Sequence, residues 1–427
     1  MKFTVERDAL AEAATWVARA LPARPVIPVL AGLLLHADGD GLTLSCFDYE
    51  VSARMRIVAE VSEPGTVLVP GRLLVEITRS LPSGRLMDFG PDPEGVSMTC
   101  GEAAFTLATL PPEEYPELPD LPQLAGAADG EVLAAAIGQV PPAASRDDTL
   151  PMLTAVNVEL DGDVMTLVAT DRYRLAVRDL NWQPAPGALE HGRLSVLVPA
   201  RTMADAARMM VSGEAVRIFL RHDVRDDGGA ADDAMIGFEA GDRRLTTRLL
   251  AGEFVRYRSR FPEEFGCTAE LPAEAFAEAV RRVSLVAERG TPVQLSFAPG
   301  RVTIVAATQG QARARESVPA DFDGGEPVIA FSPHYLLDGI VAAAAVTGAE
   351  TGKADDAPAN DAATNDAPAD DAGAGGSIAM GTRVRLQFTS ASKAAVISLA
   401  PAAGTKAGND GEDSAFRYLV VPQRTVQ

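Results

Sequence analysis

The chain has 427 residues, 38 basic and 59 acidic side chains for a formal charge of −21, and a hydrophobic fraction of 47%. That length fits about two to four domains, and the apolar fraction excludes wholesale disorder. No apolar run approaches the ~20 residues of a membrane span, and the acidity argues against a protein that holds nucleic acid through indiscriminate basic charge. The opening MKFTVERDAL becomes charged and helical too soon for a secretory signal. Cys46, Cys100 and Cys267 are odd in number and scattered, so they form neither a disulfide framework nor a CxxC metal site. His36, His191, His222 and His334 lie far apart, and neither a phosphate-binding GxxxxGK[ST] loop nor a GxSxG elbow occurs. The glycines of GAGGS (373–377) read as flexible linker.

In chain order, ERDALAEAATWVARAL (6–21) spaces its apolar residues as an amphipathic helix. After the turn residues DGDG (38–41), LTLSCFDYEVSARM (42–55) predicts a strand, a polar turn and a second strand. VPGRLLVEITRSLP (69–82) predicts another helix. LATLPPEEYPELP (107–119) then leaves a strand through a short turn and an aromatic into proline-bearing extended chain. The series now restarts. GEVLAAAIGQV (130–140) is a helix, and VNVELDGDVMTLVAT (156–170) alternates with period two. MTLVATDRYRLAVRDL (165–180) is again strand, turn and strand, and VPARTMADAARMM (198–210) is again a helix. The acidic run DVRDDGGAADDA (223–234) lacks the spacing of a calcium loop and reads as a solvated hairpin loop between AVRIFL and MIGFEA. TRLLAGEFVRYRSRFP (247–262) repeats the junction. A third series follows in LPAEAFAEAVRRVSLVAE (271–288), VTIVAATQGQARARESV (302–318) and FSPHYLLDGIVAAA (331–344).

The second helices of the three series start 129 and 133 residues apart, so the chain is a threefold repeat. It divides into units at 1–120, 121–253 and 254–427. The fold class is α+β, with two helices packed on antiparallel sheet in each unit. The third unit is interrupted at 347–376, an Ala, Asp, Pro, Asn and Gly tract whose composition predicts disorder, and at 402–414, which reads as an extended hairpin loop. Residues 350–371 carry a net −6 and residues 406–413 a net −2, so the folded body is less acidic than the whole chain.

MKFTVERDAL, RPVIPVLAGLLL (24–35), ATDRYRLAV (169–177), the two junctions and YLVVPQR (418–424) together resemble the bacterial DNA polymerase III beta subunit, the sliding clamp. The resemblance covers nearly the whole chain apart from the two loops. It implies three clamp domains per protomer and a head-to-tail homodimer closed into a ring, with helices lining the hole and curved sheets outside. It further implies a cytoplasmic, nucleoid-associated processivity subunit without catalysis, metal or cofactor. The partners implied are double-stranded DNA bound without sequence preference, the DNA polymerase III alpha subunit, the clamp loader and other clamp-motif proteins, with no membrane.

Three sets of residues follow from that resemblance. Arg72, Arg79, Arg201, Arg208, Arg281 and Arg282 on the lining helices, with Arg24 and Arg146 in loops, match positions that meet DNA. Read without the resemblance, they are solvated helix faces. Glu6, Glu12, Glu76, Asp205 and Glu278 are interspersed, so contacts would be few and phosphate-directed. A pocket for short peptides would draw Leu153, Thr170, Arg172, Tyr173, Arg174 and Leu175 from the second unit and Val255, Tyr257 and Arg260 from the junction. The third unit would add Ser332, Tyr335, Val420, Val421, Pro422, Gln423 and Arg424. Leu153, Leu175 and Val420 would otherwise read as core. The edge strand AAFTLATL (103–110) would pair with the partner protomer, Phe105 and Leu107 packing near Ser284 and Leu285; alternatively it faces its own core.

The chain departs from the family pattern where Phe254-Val255-Arg256-Tyr257 replaces the usual Phe-Pro-Asp-Tyr, and where Gln423 replaces an apolar residue. Three functions are therefore weighed: a processivity clamp, a specialised clamp paralogue with an altered pocket that escapes a clamp-directed antibiotic, and a metal-dependent hydrolase built on acidic residues. The last lacks a recurring set of acid, base and nucleophile.

Overall fold

The structure, a computed structural model, describes residues 1–189, 192–208, 210, 214–222, 233–288, 290–308, 311–345, 378, 381–401 and 415–423. The inserts at 347–376 and 402–414, most of the acidic run at 223–234, and Arg424 lie outside the described residues.

In the first third of the chain the elements are β1 (Lys2–Glu6), α1 (Arg7–Val17), β2 (Gly32–Asp38), β3 (Gly41–Phe47), β4 (Val51–Glu63) and β5 (Gly65–Pro70). They continue with α2 (Gly71–Ser80), β6 (Leu86–Asp92), β7 (Gly95–Cys100) and β8 (Ala103–Leu107). The second third has β9 (Gln123–Asp129), α3 (Gly130–Gln139), β10 (Ala155–Asp161), β11 (Val164–Thr170), β12 (Arg174–Asn181) and β13 (Gln183–Pro184). After these come β14 (Leu194–Pro199), α4 (Ala200–Ala207), β15 (Ala215–Arg221), β16 (Met235–Ala240) and β17 (Arg243–Arg248). The last third opens with β18 (Cys267–Pro272), α5 (Ala273–Ser284), β19 (Val293–Ala298), β20 (Arg301–Thr308) and β21 (Ala312–Pro319). It closes with β22 (Asp321–Asp323), β23 (Val328–Phe331), α6 (Pro333–Ala344), β24 (Arg383–Phe388), β25 (Ala395–Leu399) and β26 (Phe416–Val420). Among the described residues each third thus holds two α-helices, as the repeat predicts, and every strand pairing is antiparallel.

The helices form where apolar residues recur at three and four positions. In α2, Leu74, Ile77 and Thr78 are buried while Arg72 and Arg79 face solvent. In α5, Phe276, Ala277, Val280 and Val283 are buried while Arg281 and Arg282 are exposed. α1 packs on α2, and α5 on α6. In α6, Gly339 is required by a close approach: a Cβ there would lie 2.5 Å from Cδ1 of the fully buried Tyr418 ring.

The repeats and the compact units do not coincide. One unit comprises Met1–Gly130, Trp182–Glu190 and Asp205–Ala251, and contains a single 13-stranded sheet. Its continuity comes from β4, which pairs with β17 along Val51–Met55 and with β1 further on. The other unit comprises Glu131–Asn181, His191–Ala204 and Gly252–Gln427, and contains a nine-stranded and a four-stranded sheet. Its nine-stranded sheet is continuous because β12 pairs with β26, Arg174 opposite Val420. The strands of the middle repeat are therefore shared out: β9, β13 and β15 to β17 in the first unit, β10 to β12 and β14 in the second.

Candidate functional site

The most elaborated surface of the second unit grows from the turn between β11 and β12. Asp171 shapes that turn: its Oδ1 accepts the backbone N–H groups of Tyr173 and Arg174, each at 3.0 Å. Thr170 donates its hydroxyl to the Arg174 carbonyl at 2.5 Å and accepts the Arg172 N–H at 3.2 Å. Arg172 sits at φ +81°, a conformation a non-glycine residue holds only when its surroundings impose it. The turn leaves Arg172 and Tyr173 exposed and turns Arg174 inward.

Arg174 is only 6% exposed, yet its charge is matched. Its Nε donates to Asp171 Oδ2 at 3.0 Å and its Nη1 to Asp338 Oδ2 on α6, with the Tyr418 hydroxyl 3.5 Å away. The guanidinium lies 4.7 Å over the ring of Tyr335, one helical turn before Asp338. Tyr335 in turn stacks on Tyr173, with ring centroids 6.2 Å apart and planes 15° apart. Burial first, then the charge of Asp171 and a hydrogen bond to it, push the Tyr335 phenol above its ordinary value. Burial does the same to Tyr418, whose hydroxyl donates to the Tyr335 carbonyl at 2.9 Å.

Beside this bridge lies an apolar floor of Val168, Leu175, Val177, Leu419 and Tyr257, against which Phe254, Phe261 and Ala394 pack. Tyr257 is how the junction is anchored: its hydroxyl donates to Glu159 Oε2 at 3.1 Å. The same oxygen accepts from Arg258 at 2.8 Å and from Arg193. Burial, then the Glu159 charge, raises the Tyr257 phenol. The main chain after β26 is tied down as well, Val421 N–H to the Tyr173 carbonyl at 2.9 Å and Gln423 N–H to the Ala330 carbonyl at 2.8 Å. Tyr173, Val255 and Val421 are left 55%, 44% and 37% exposed.

The residues expected to form a pocket are thus brought together in large part. Thr170, Arg172, Tyr173, Arg174, Leu175, Tyr257, Tyr335, Val420 and Val421 share one neighbourhood through the turn, the floor cluster, the aromatic stack and the β12–β26 ladder. Within the free chain, Leu153, Leu175 and Val420 are buried, as a core reading of those residues expects. Leu153 lies in the short helical turn Pro151–Leu153, Ser332 caps α6 with its backbone alone, and Arg256, Arg260 and Gln423 are exposed. Sequence reasoning missed Asp171, Asp338, Glu159, Tyr418 and Leu419. Only Asp171 carried a signal, as the turn former inside ATDRYRLAV.

All eight arginines expected to meet DNA face solvent. They differ in freedom. Arg282 is held by Glu316 at 2.7 and 3.1 Å and by Glu278 at 2.9 Å, whereas Arg208 has Asp205 at 3.6 Å and Arg72 donates to the Pro22 carbonyl at 3.3 Å. β8 is the terminal strand of its sheet. On it Leu107 is buried in its own unit, opposite Val96, while Phe105 remains half-buried. Ser284 is half-buried and Leu285 largely exposed at the end of α5.

Among the described residues no cluster of three His, Cys, Asp or Glu side chains is placed to hold a metal, and no helix is long and apolar enough to cross a membrane. Two helices and antiparallel strands recur in each third of the described chain, and in the second unit exposed apolar side chains border a braced apolar floor. The chain matches the DNA polymerase III beta subunit in its N-terminal domain over residues 1–119, its central domain over 128–255 and its C-terminal domain over 258–346. It is 44% identical to the beta sliding clamp of Streptomyces coelicolor, over 99% of both chains. It is also 44% identical to the beta sliding clamp homolog GriR of Streptomyces muensis, over 80% of this chain and 88% of that one. The DnaN sliding clamp of Pseudomonas aeruginosa, solved bound to griselimycin, superposes with a TM-score of 0.79 at 25% identity over the whole of both chains. The chain belongs to the DNA polymerase III beta subunit family: it is a DNA sliding clamp, the non-catalytic subunit that makes replicative synthesis processive.

Proposed function

We propose that two copies join head to tail into a ring closed around duplex DNA in the cytoplasm, at the nucleoid. On that ring the surface at Tyr173, Val255, Tyr335 and Val421 holds short linear peptides of the DNA polymerase III alpha subunit, the clamp loader and other clamp-motif proteins. The observation that supports this most directly is the exposure of Tyr173, Val255 and Val421 around a buried, braced floor, where apolar anchors of a peptide find apolar walls. Arg24, Arg72, Arg79, Arg146, Arg201, Arg208, Arg281 and Arg282 supply phosphate contacts without base readout, Arg282 least because two carboxylates already hold it. Phe105 and Leu285 are apolar side chains available to the protomer interface, which Ser284 borders, while Leu107 is buried in its own unit. Loader-assembled protein is expected to stay on nicked circular DNA and to slide off once that DNA is linearised. Equal retention on both forms, or a stable monomer at micromolar concentration, overturns the reading.

A second reading, a specialised paralogue with an altered pocket, draws on Val255, Arg256 and Gln423 and on the equal identity to a clamp homolog. It predicts that Val255→Pro with Gln423→Met strengthens binding of a rigid cyclic ligand more than of a linear clamp-binding peptide. Unchanged affinity for both removes its support.

A further inference from the structure

Among the described residues the turn that carries Tyr173 occurs twice. In the first unit Asp48 Oδ1 accepts the N–H groups of Glu50 and Val51 at 3.0 and 2.8 Å, and Tyr49 sits at φ +76°. In the second unit Asp171 and Arg172 do the same, with Arg172 at φ +81°. Among the described residues these are the two non-glycine positions at positive φ. The turn itself is therefore a property of the repeat. What only the second copy has is an arginine and a tyrosine where the first has Val51 and Glu50. Folding of the turn does not require that pair, since the first copy folds without it. A nearly buried arginine with two carboxylates is also a costly way to fill space, because an apolar residue of similar volume is as stable or more so.

We propose that Asp338 is a positioning residue for partner binding. Through Arg174 it fixes Tyr335, and through Tyr335 the exposed ring of Tyr173, as one rigid aromatic wall beside the apolar floor. The geometry is continuous: Asp338 to Arg174 Nη1, the guanidinium 4.7 Å over Tyr335, and Tyr335 stacked on Tyr173 at 6.2 Å. Asp171 closes the loop by binding Arg174 Nε, and its charge acts on the Tyr335 phenol. A wall ordered before the peptide arrives spares the complex the loss of two tyrosine rotamers on binding. The inference rests on reading this surface as the partner site.

The test titrates a fluorescein-labelled linear peptide, taken from the clamp-binding segment of a DNA polymerase III alpha subunit, into the full chain and four variants. Val421→Glu, at an exposed position, checks the site itself; wild-type affinity there overturns the partner-site reading rather than this one. Asp338→Asn is expected to weaken the peptide about tenfold and to diminish the near-ultraviolet tyrosine circular dichroism of the free protein. Asp338→Glu, which keeps the charge, is expected to recover most of both. Tyr335→Phe keeps the ring but loses the hydroxyl on which the Asp171 charge acts, and is expected to weaken the peptide by less. If Asp338→Asn lacks a cooperative melt, Tyr335→Phe decides. Wild-type affinity in Asp338→Asn, or in Tyr335→Phe where that variant decides, with Val421→Glu weakened, overturns the proposal. So does a loss of melting temperature in Asp338→Asn with unchanged affinity and tyrosine signal, which is what a purely structural bridge gives.

Discussion

The turn at Asp48–Val51 and the turn at Asp171–Arg174 share a backbone and differ in what they hold. Each is followed along the chain by a junction tyrosine buried over a small apolar cluster: Tyr115 on Val29, Phe47 and Leu68, and Tyr257 on Val168, Leu175, Val177 and Leu419. The polar anchors differ. Tyr115 accepts the Phe47 N–H at 2.7 Å, a neutral main-chain partner, whereas Tyr257 donates to Glu159, which two arginines also hold. The first copy shows what the fold needs, namely an aspartate, a residue at positive φ and a buried tyrosine. The second shows what has been added: Arg174, Asp338, an aromatic stack and a charged bracket under the junction.

The largest effect that sharpens this contrast is at the arginine. Arg174→Ala strands Asp171 and Asp338 beside a buried gap and is expected to cost about 3 kcal/mol in urea unfolding. Val51→Ala, its counterpart in the half-buried first turn, is expected to cost no more than about 1 kcal/mol. Equal costs would erase the distinction between the two copies. Tyr257→Phe comes next, at about 1.5 kcal/mol because its acceptor is charged, against about 1 kcal/mol for Tyr115→Phe.

Both tyrosines also give the protein an alkaline edge. Burial above all raises each phenol above its unfolded value of about 10, so each favours the folded state fully below that pH. The contribution is lost as pH rises through the folded values. Stability is therefore expected to fall above about pH 10, and each Phe variant to flatten that fall when unfolding free energy is measured against pH. A slope unchanged in both variants would remove the two phenols from the account. The smallest effect is at the strained positions. Tyr49→Gly and Arg172→Gly relieve positive φ and are expected to raise stability by no more than about 1 kcal/mol. Tyr49→Gly should gain less, because its ring also meets Phe47 at 5.6 Å.

The shared half of this design was legible in the sequence and the added half mostly was not. The threefold order of helices and strand pairs follows from apolar periodicity, and each predicted helix appears within a few residues of its expected place. The division of the middle repeat between two sheets was not legible, because alternation tells which face of β4 or β12 is buried but not which strand lies beside it. Arg174 was expected in the pocket on the strength of ATDRYRLAV. Nothing local tells that it turns inward, because its partner Asp338 lies 164 positions away. Glu159 sits in an ordinary alternating strand and takes its role only when the junction, 98 residues on, folds over it. Leu153, Leu175 and Val420 look like core in the sequence and are buried in the free chain, so a docking role for them is invisible without the resemblance.

The most direct measurement exchanges the added half for the shared half at a single exposed position. Tyr173→Glu gives the second turn the residue that the first turn carries at Glu50, without touching the aspartate cap or the positive φ. The variant is expected to melt as the wild type does, to remain on nicked circular DNA, and to bind the alpha-subunit peptide at least tenfold more weakly. Wild-type peptide affinity in a folded, DNA-retained Tyr173→Glu protein would contradict the account.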